Sequence, residues 1–128
     1  MVEIVSKNKD LAELLSIDTS CIYFSCVLED SMEGRVWGNN HERPSFAVVW
    51  NEYQKGFQLM GAALKKSEYD NLRSFFESEI FQLLQEKDIN YFECGADSNE
   101  LANMLFEIFK DKDLDSAQQK VFALKQHL

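Results

Sequence analysis

Apolar side chains near the start of the chain recur at the spacing of amphipathic helices. In residues 7–16 they are Leu11, Leu14 and Leu15, which predicts a first short helix. Residues 18–32 begin with Asp, Thr and Ser and end just before Gly34, which predicts a second helix capped at both ends. A strand competes with a helix here, because residues 22–24 are Ile, Tyr and Phe.

The middle of the chain alternates strand-like runs with polar, turn-rich segments. The runs cover residues 35–38, 46–50 and 57–61, and the turns cover residues 39–45 and 51–56. This alternation predicts a three-strand antiparallel meander. The single proline, Pro44, falls in the first turn, where its missing N–H costs the hydrogen-bonded ladder nothing.

Residues 67–86 have the clearest helical periodicity and predict an amphipathic helix of about five turns. Ser67 and Asp70 are placed as an analogue of a capping box. The predicted buried face consists of Tyr69, Leu72, Phe76, Ile80, Leu83 and Leu84. The run at residues 89–94 predicts a buried strand, which Gly95 would close with a turn.

The last part of the chain predicts a helix and a strand. Asp97 or Ser98 would cap the helix, whose apolar residues are Leu101, Ala102, Leu105, Phe106 and Phe109. A polar stretch at residues 110–116 follows, and residues 121–125, extended back to 118, predict the final strand. The whole order predicts an α+β (mixed α/β) domain: short N-terminal helices, the meander, then helix, strand, helix and strand.

Length and composition favour a single domain, residues 1–128. Hydrophobic residues make up 45% of the chain and include ten Phe, enough for one sizeable core. The formal charge of −9 disfavours binding to nucleic acid or to an anionic membrane. Three cysteines in apolar surroundings, without an export signal or a long apolar span, favour a reducing cytoplasm.

The element order and three short motifs resemble a known enzyme family. The motifs are residues 34–37 (Gly-Arg-Val-Trp), 44–50 (Pro-Ser-Phe-Ala-Val-Val-Trp) and 57–61 (Phe-Gln-Leu-Met-Gly). They are similar to the amino-terminal half of GNAT acetyltransferases related to the zwittermycin A resistance protein. The similarity covers roughly residues 18–124. In that group such a half precedes a second GNAT-like half that holds acetyl-coenzyme A, and 128 residues correspond to about one half.

The resemblance also implies where a coenzyme would bind. Catalytic GNAT units hold its pyrophosphate in a loop of the type Arg/Gln-x-x-Gly-x-Gly/Ala before the long helix. The matching residues 59–67 have one glycine, Gly61, followed by Lys65 and Lys66 as weak phosphate ligands. Glu93 and Cys94 would lie where two strands splay apart around the pantetheine arm, although packing in the core is the favoured role for Cys94. These five residues are the candidate coenzyme contacts.

Two functional hypotheses follow from the resemblance. The first is a non-catalytic structural or substrate-side half that needs no cofactor alone. It would pair with a catalytic GNAT domain or with itself, using the strand at 121–125 as an open edge. The second is a small acetyl-CoA-dependent N-acetyltransferase with a degenerate loop. A third idea, an acidic mimic of nucleic acid, draws only on the net charge and ranks last.

Other chemistry-bearing residues favour structural roles. His41 lies in a polar turn without a second histidine nearby, and His127 lies next to the C-terminal residue. The cysteines lack zinc-ligand spacing, so no metal site is expected. Five aromatics of the meander would form either a small-ligand pocket or a packed sheet face: Trp37, Phe46, Trp50, Tyr53 and Phe57. Four acids would be a solvated face or a site for a cationic amine: Glu29, Asp30, Glu33 and Glu42.

Overall fold

The computed structural model describes residues 1–112 and the backbone of residues 115–116 and 121–124. The described helices are α1 (Lys9–Leu15), α2 (Ile22–Leu28), α3 (Tyr69–Phe75), α4 (Phe81–Glu86) and α5 (Asn99–Ile108). The described strands are β1 (Val2–Glu3), β2 (Gly34–Gly38), β3 (Phe46–Asn51), β4 (Gly56–Gly61), β5 (Phe92–Ala96), β6 (Asp115–Ser116) and β7 (Val121–Leu124). They form one sheet in the order β1-β2-β3-β4-β5-β7-β6, so the fold is mixed α+β, as predicted.

The predicted antiparallel meander is confirmed as β2, β3 and β4. Strand β3 is buried along its whole length, because it is paired on both sides and covered on both faces. Two asparagines shape the connections. Asn39 Oδ1 accepts hydrogen bonds from the N–H groups of Ser45 and Phe46. Buried Asn51 accepts from the N–H groups of Tyr53 and Gln54, which closes the β3–β4 turn.

The sheet separates two apolar cores. Alternate residues of each strand point to opposite faces, so Val48 and Trp50 of β3 belong to the core that includes residues of α3, α4 and α5, whereas Ala47 and Val49 belong to the core that includes residues of α1 and α2. The first core is rich in phenylalanine: ring centroids lie 5.7 Å apart for Phe76 and Phe92. Helices on both faces therefore leave the ends of the strands as the accessible part of the sheet.

The N-terminal region differs from its prediction at three points. Strand β1 precedes the helices and pairs antiparallel with β2, although a two-residue strand leaves no periodicity in the sequence. The second helix is shorter than predicted and begins after Cys21, whose side chain makes no capping hydrogen bond. It ends at Leu28, and the cap predicted at Gly34 is wrong, because Asp30 takes the left-handed conformation (φ 67°) after the helix and Gly34 opens β2.

The predicted long helix at residues 67–86 is interrupted by turns of other kinds. A 3-10 turn at Lys66–Glu68 leads into α3, and a π-helical segment at Phe76–Ile80 separates α3 from α4. The capping box predicted for Ser67 and Asp70 is wrong. Glu68 makes the capping bond instead, because its carboxylate accepts from the N–H of Lys65 at 3.3 Å. The predicted apolar face is otherwise confirmed, since Leu72, Phe76 and Ile80 are buried.

The predicted turn at Gly95 is wrong, because Gly95 lies inside β5. It stands opposite Gln58 of the parallel strand β4, where an added Cβ would lie 2.1 Å from Gln58 Oε1. The glycine therefore allows a close approach of a neighbouring side chain. Of the two caps predicted for the last helix, Asp97 or Ser98, the structure confirms Ser98. Its Oγ accepts a hydrogen bond from the N–H of Leu101 at 3.2 Å.

The C-terminal strand is interior to the sheet. Strand β7 pairs antiparallel with β5 on one side and with β6 on the other. Its use as an open edge for pairing is therefore contradicted, and β6 lies in the stretch that we predicted to be only polar. Residues 118–120 and 125, also assigned to the last strand, lie outside the described residues. Within the described part, no helix has the length and apolar character needed to cross a membrane.

Candidate functional site

The carboxyl ends of β4 and β5 form the strongest candidate site. These strands are a parallel pair with the register Phe57–Cys94, Gln58–Gly95 and Leu59–Ala96. The carboxyl ends of parallel strands, at the point where a sheet changes its connection pattern, are a common place for ligands in proteins with helices on both faces. The turn between α1 and α2 and the loop after β4 both reach this end of the sheet.

Three polar side chains from distant parts of the chain meet there. Asp97, directly after β5, accepts a hydrogen bond from Gln58 Nε2 at 2.7 Å with one carboxylate oxygen. Its other oxygen accepts from Ser20 Oγ at 2.5 Å. The N–H of Asp97 donates to the carbonyl of Leu59 at 3.1 Å. The carboxylate therefore joins the α1–α2 turn to β4 and holds the two parallel strands together at their ends.

The loop after β4 begins with a constrained glycine. Gly61 has φ +89°, and an added Cβ would lie 2.2 Å from the carbonyl oxygen of Ser45. The next N–H, of Ala62, donates to that same carbonyl at 2.7 Å. Gly61 thus allows the chain to turn tightly against β3, and this role explains the residue without a ligand.

Three further N–H groups of this loop and the turn after it also bond within the protein. The N–H of Leu64 approaches Met104 Sδ at 3.4 Å. The N–H of Lys65 donates to the Glu68 carboxylate, and the N–H of Glu68 donates to the carbonyl of Lys65 at 2.9 Å. The carboxylate of Glu68 thus accepts the N–H of Lys65 within the protein.

The five predicted coenzyme contacts fall into two separate groups. Gly61, Lys65 and Lys66 lie at the carboxyl end of β4, with both lysines exposed. Glu93 and Cys94 lie toward the other end, because Cys94 pairs with Phe57, four residues before Gly61 and about 13 Å away along the strand. The prediction that Cys94 lies where the strands diverge is wrong.

Cys94 belongs to the phenylalanine-rich core and is completely buried. Burial raises the pKa of its thiol well above the usual range, so the thiolate that acts as a nucleophile is suppressed. Glu93 is exposed on the opposite face of the sheet. It borders a small hollow of about 170 Å³ beneath Phe24 of α2.

A second polar network lies at the opposite end of the sheet. Glu52 accepts hydrogen bonds from Lys87 Nζ at 2.5 Å and from the indole of Trp50 at 2.8 Å. Partial burial opposes ionisation of Glu52, but these two hydrogen bonds outweigh it and hold the pKa of Glu52 below its usual value. This network attaches the end of α4 to the β3–β4 hairpin, which is a structural role.

The other candidates remain dispersed. His41 lines an open groove beside α1, Cys21 is exposed and Cys26 is half-buried. Within the described residues no group of His, Cys, Asp and Glu side chains is arranged to hold a metal ion. His127 lies outside the described residues. Four of the five meander aromatics are buried, namely Trp37, Phe46, Trp50 and Phe57, whereas Tyr53 is exposed.

The cluster of Ser20, Gln58 and Asp97 was not predicted from the sequence. One signal was present, since Gln58 is a polar residue inside the apolar run of β4 and faces α2 rather than solvent. Asp97 was considered only as a helix cap. Ser20 and Asp97 are 77 positions apart, and no pattern in the sequence joins residues that far apart.

Comparisons with known proteins leave the family open. No protein-family model matches the chain. No curated protein matches it significantly either.

Proposed function

We propose that this chain is a GNAT-like domain that does not bind acetyl-coenzyme A on its own and acts as a structural or substrate-side half for another domain. The order of its elements supports the GNAT part of the proposal. A helical start, an antiparallel meander, a helical segment and a strand parallel to the third meander strand follow one another as that fold requires. The following helix and the antiparallel pairing of β7 with β5 complete the order.

The bond between Glu68 and the loop is the observation that carries the non-catalytic part. In the first turn after the loop, the N–H of Lys65 donates a hydrogen bond to the carboxylate of Glu68. A coenzyme pyrophosphate would need the same N–H and would meet the negative charge of Glu68. Two like charges about 4 Å apart repel by about 1 to 4 kcal/mol, depending on exposure to water. Two exposed, flexible lysines offset this repulsion only weakly.

The contacts of Asp97 also disfavour binding of the coenzyme. A pantetheine arm in the GNAT mode runs between β4 and β5 where they separate. Here Asp97 bonds to Gln58 through its side chain and to Leu59 through its N–H, so the strands stay joined up to the end of β5. Opening this cleft would leave Asp97 and Gln58 without these partners, at a cost of about 1 to 3 kcal/mol for each unsatisfied group.

Isothermal titration with acetyl-coenzyme A tests the proposal. We expect no saturable heat at 0.5 mM ligand, roughly the upper end of ordinary coenzyme affinities. The matched variant Glu68→Gln keeps the shape of the side chain and removes its charge. Binding that appears only in this variant would confirm that the carboxylate blocks the loop. Saturable binding by the unaltered protein would overturn the proposal and favour the small acetyltransferase.

A further inference from the structure

The helices on one face of the sheet carry an unusual charge distribution. Residues 10–34, which contain α2, the turn before it and all of α1 except its first residue, Lys9, include six carboxylates and no Lys, Arg or His. We call this segment the acidic hairpin. Its formal charge of −6 accounts for two thirds of the net charge of the chain. Lys7 lies 3.8 Å from Asp30 and Lys9 begins α1, so cations offset part of this charge, and Asp10, Glu13 and Asp18 carry the negative charge around α1 and the turn.

Apolar side chains are exposed within the same segment. Ile17 and Ile22 flank the turn of the acidic hairpin and are 52% and 69% exposed, and Leu14 at the end of α1 is 39% exposed. Single exposed apolar residues are ordinary on protein surfaces. Three within nine positions, beside the carboxylates of Glu13 and Asp18, form a surface that is both apolar and negative.

The turn that presents these side chains is firmly held. The N–H of Ile17 donates to Ser20 Oγ at 2.9 Å, and the N–H of Ser20 donates back to the carbonyl of Ile17 at 2.9 Å. Ser16 and Ser25 join the two helices through their hydroxyls, and Ser20 is fixed to Asp97. Ordering this surface on binding therefore costs little conformational entropy, which favours its use for recognition.

A groove of about 690 Å³ lies directly beside α1. Its lining includes Asp10, Glu13 and Leu14 from the acidic hairpin, and His41, Glu42 and Arg43 from the β2–β3 loop. The three carboxylates outnumber the one guanidinium, so the groove is negative at neutral pH. It is wide enough for long side chains and suits lysine or arginine stems that reach a carboxylate.

We propose that the acidic hairpin docks a cationic amphipathic helix of another protein. Apolar side chains of that helix would cover Leu14, Ile17 and Ile22, and its lysines or arginines would lie against the carboxylates of α1 and of the groove. Apolar anchors surrounded by complementary charges are how helices bind in grooves on other proteins. This inference rests on the proposed function, because it identifies the surface through which the domain would join a partner.

Titration with a defined peptide tests this docking. The probe is an 18-residue amphipathic helix of leucine and lysine, and the control peptide has glutamate in place of every lysine. We expect the lysine peptide to bind, and its affinity to weaken at least threefold when salt rises from 50 to 500 mM, because exposed charges are then screened. The glutamate peptide binding equally well, or neither peptide binding, would overturn the proposal.

Two matched pairs of variants locate the binding surface. Ile17→Ser with Ile22→Ser should weaken binding of the lysine peptide about tenfold, whereas Tyr53→Ser, at an 80% exposed residue elsewhere, should not. Neutralising three acids of the hairpin should also weaken binding of the lysine peptide about tenfold, because each acid contributes at most one surface ion pair to the complex. The substitutions are Asp10→Asn, Glu13→Gln and Asp18→Asn. The control neutralises three exposed acids outside the hairpin: Asp70→Asn, Asp88→Asn and Glu107→Gln.

Equal losses in the two charge-neutralised proteins would mean attraction to the net charge alone and would overturn the proposal. Sedimentation of the unaltered protein gives a separate check. Self-association that Ile17→Ser with Ile22→Ser abolishes would show that a second copy covers the hairpin, which would also overturn it. The coenzyme titration remains independent, because acetyl-coenzyme A binding would reject the proposed function whatever the peptide does.

Discussion

Replacing Gly95 by alanine tests whether the polar cluster at the end of β4 depends on a missing side chain. The new Cβ would start 2.1 Å from Gln58 Oε1, about 1 Å closer than such contacts ever are, so the amide must move. Gln58 is 9% exposed and bonded to Asp97 at 2.7 Å, and movement breaks that bond. A hydrogen bond to a charged acceptor is worth about 1.5–3 kcal/mol.

Alanine in place of glycine also lowers the entropy of the unfolded chain, which stabilises the folded protein by about 0.4–1 kcal/mol. The net loss of stability for Gly95→Ala should therefore be about 1–2 kcal/mol, measured as the free energy of unfolding in urea. Gly56→Ala is the matched control, because its Cβ would lie 3.7 Å from the nearest atom, an ordinary contact. We expect that control to change stability by less than about 0.5 kcal/mol.

A double-mutant cycle decides whether Gln58 is the cause. In a Gln58→Ala protein the amide is absent, so adding Gly95→Ala should cost less than about 0.5 kcal/mol. The reasoning is refuted if Gly95→Ala costs the same in both backgrounds, since the loss would then come from the backbone of β5 and not from the close approach of the side chain.

Two further predictions use the pKa directions. Lys87→Met should destabilise the protein by about 1–2 kcal/mol at pH 7. Because its pKa is lowered in the folded state, Glu52 stabilises the protein above its ordinary pKa of 4.5, and this contribution is lost as the pH falls through the folded value. The loss caused by Lys87→Met should therefore shrink between pH 5 and pH 3 in urea titrations, and an unchanged loss contradicts the assignment. At pH 8, a thiol-specific reagent should label exposed Cys21 in the native protein and buried Cys94 only after unfolding; labelling at equal rates would count against the buried core position.

The central strands could be predicted because their sequence carries the physical cause of their position. The run at residues 46–50 is apolar throughout, since β3 is covered on both faces, and such runs bounded by turn residues predict buried strands. Ser98 could be predicted as a cap because its hydroxyl acts within three residues. Strand β1 could not be predicted, because two residues are too few to show an alternation of apolar and polar positions. Its pairing with β2 is a tertiary contact.

In the candidate site, too, tertiary contacts could not be predicted from the sequence. Gly61 was predicted only as a coenzyme contact at the end of the third meander strand, and its tight turn against β3 became visible only in the structure. Gly95 was misinterpreted, because glycine signals a turn and a close approach equally well, and only the position of Gln58 decides between them. The bonds among Ser20, Gln58 and Asp97 depend on which strands become neighbours, and local patterns do not specify that.

The position of β5 between β4 and β7 has a consequence for synthesis of the chain. One side of β5 can pair with residues 57–59 as soon as it emerges, but the other side waits for residues 121–124. Until then a nascent chain exposes a sheet edge next to its largest aromatic core, which is the kind of surface on which folding intermediates aggregate. Slow translation between residues 96 and 121 would lengthen that exposure, so this stage is where a chaperone would help most.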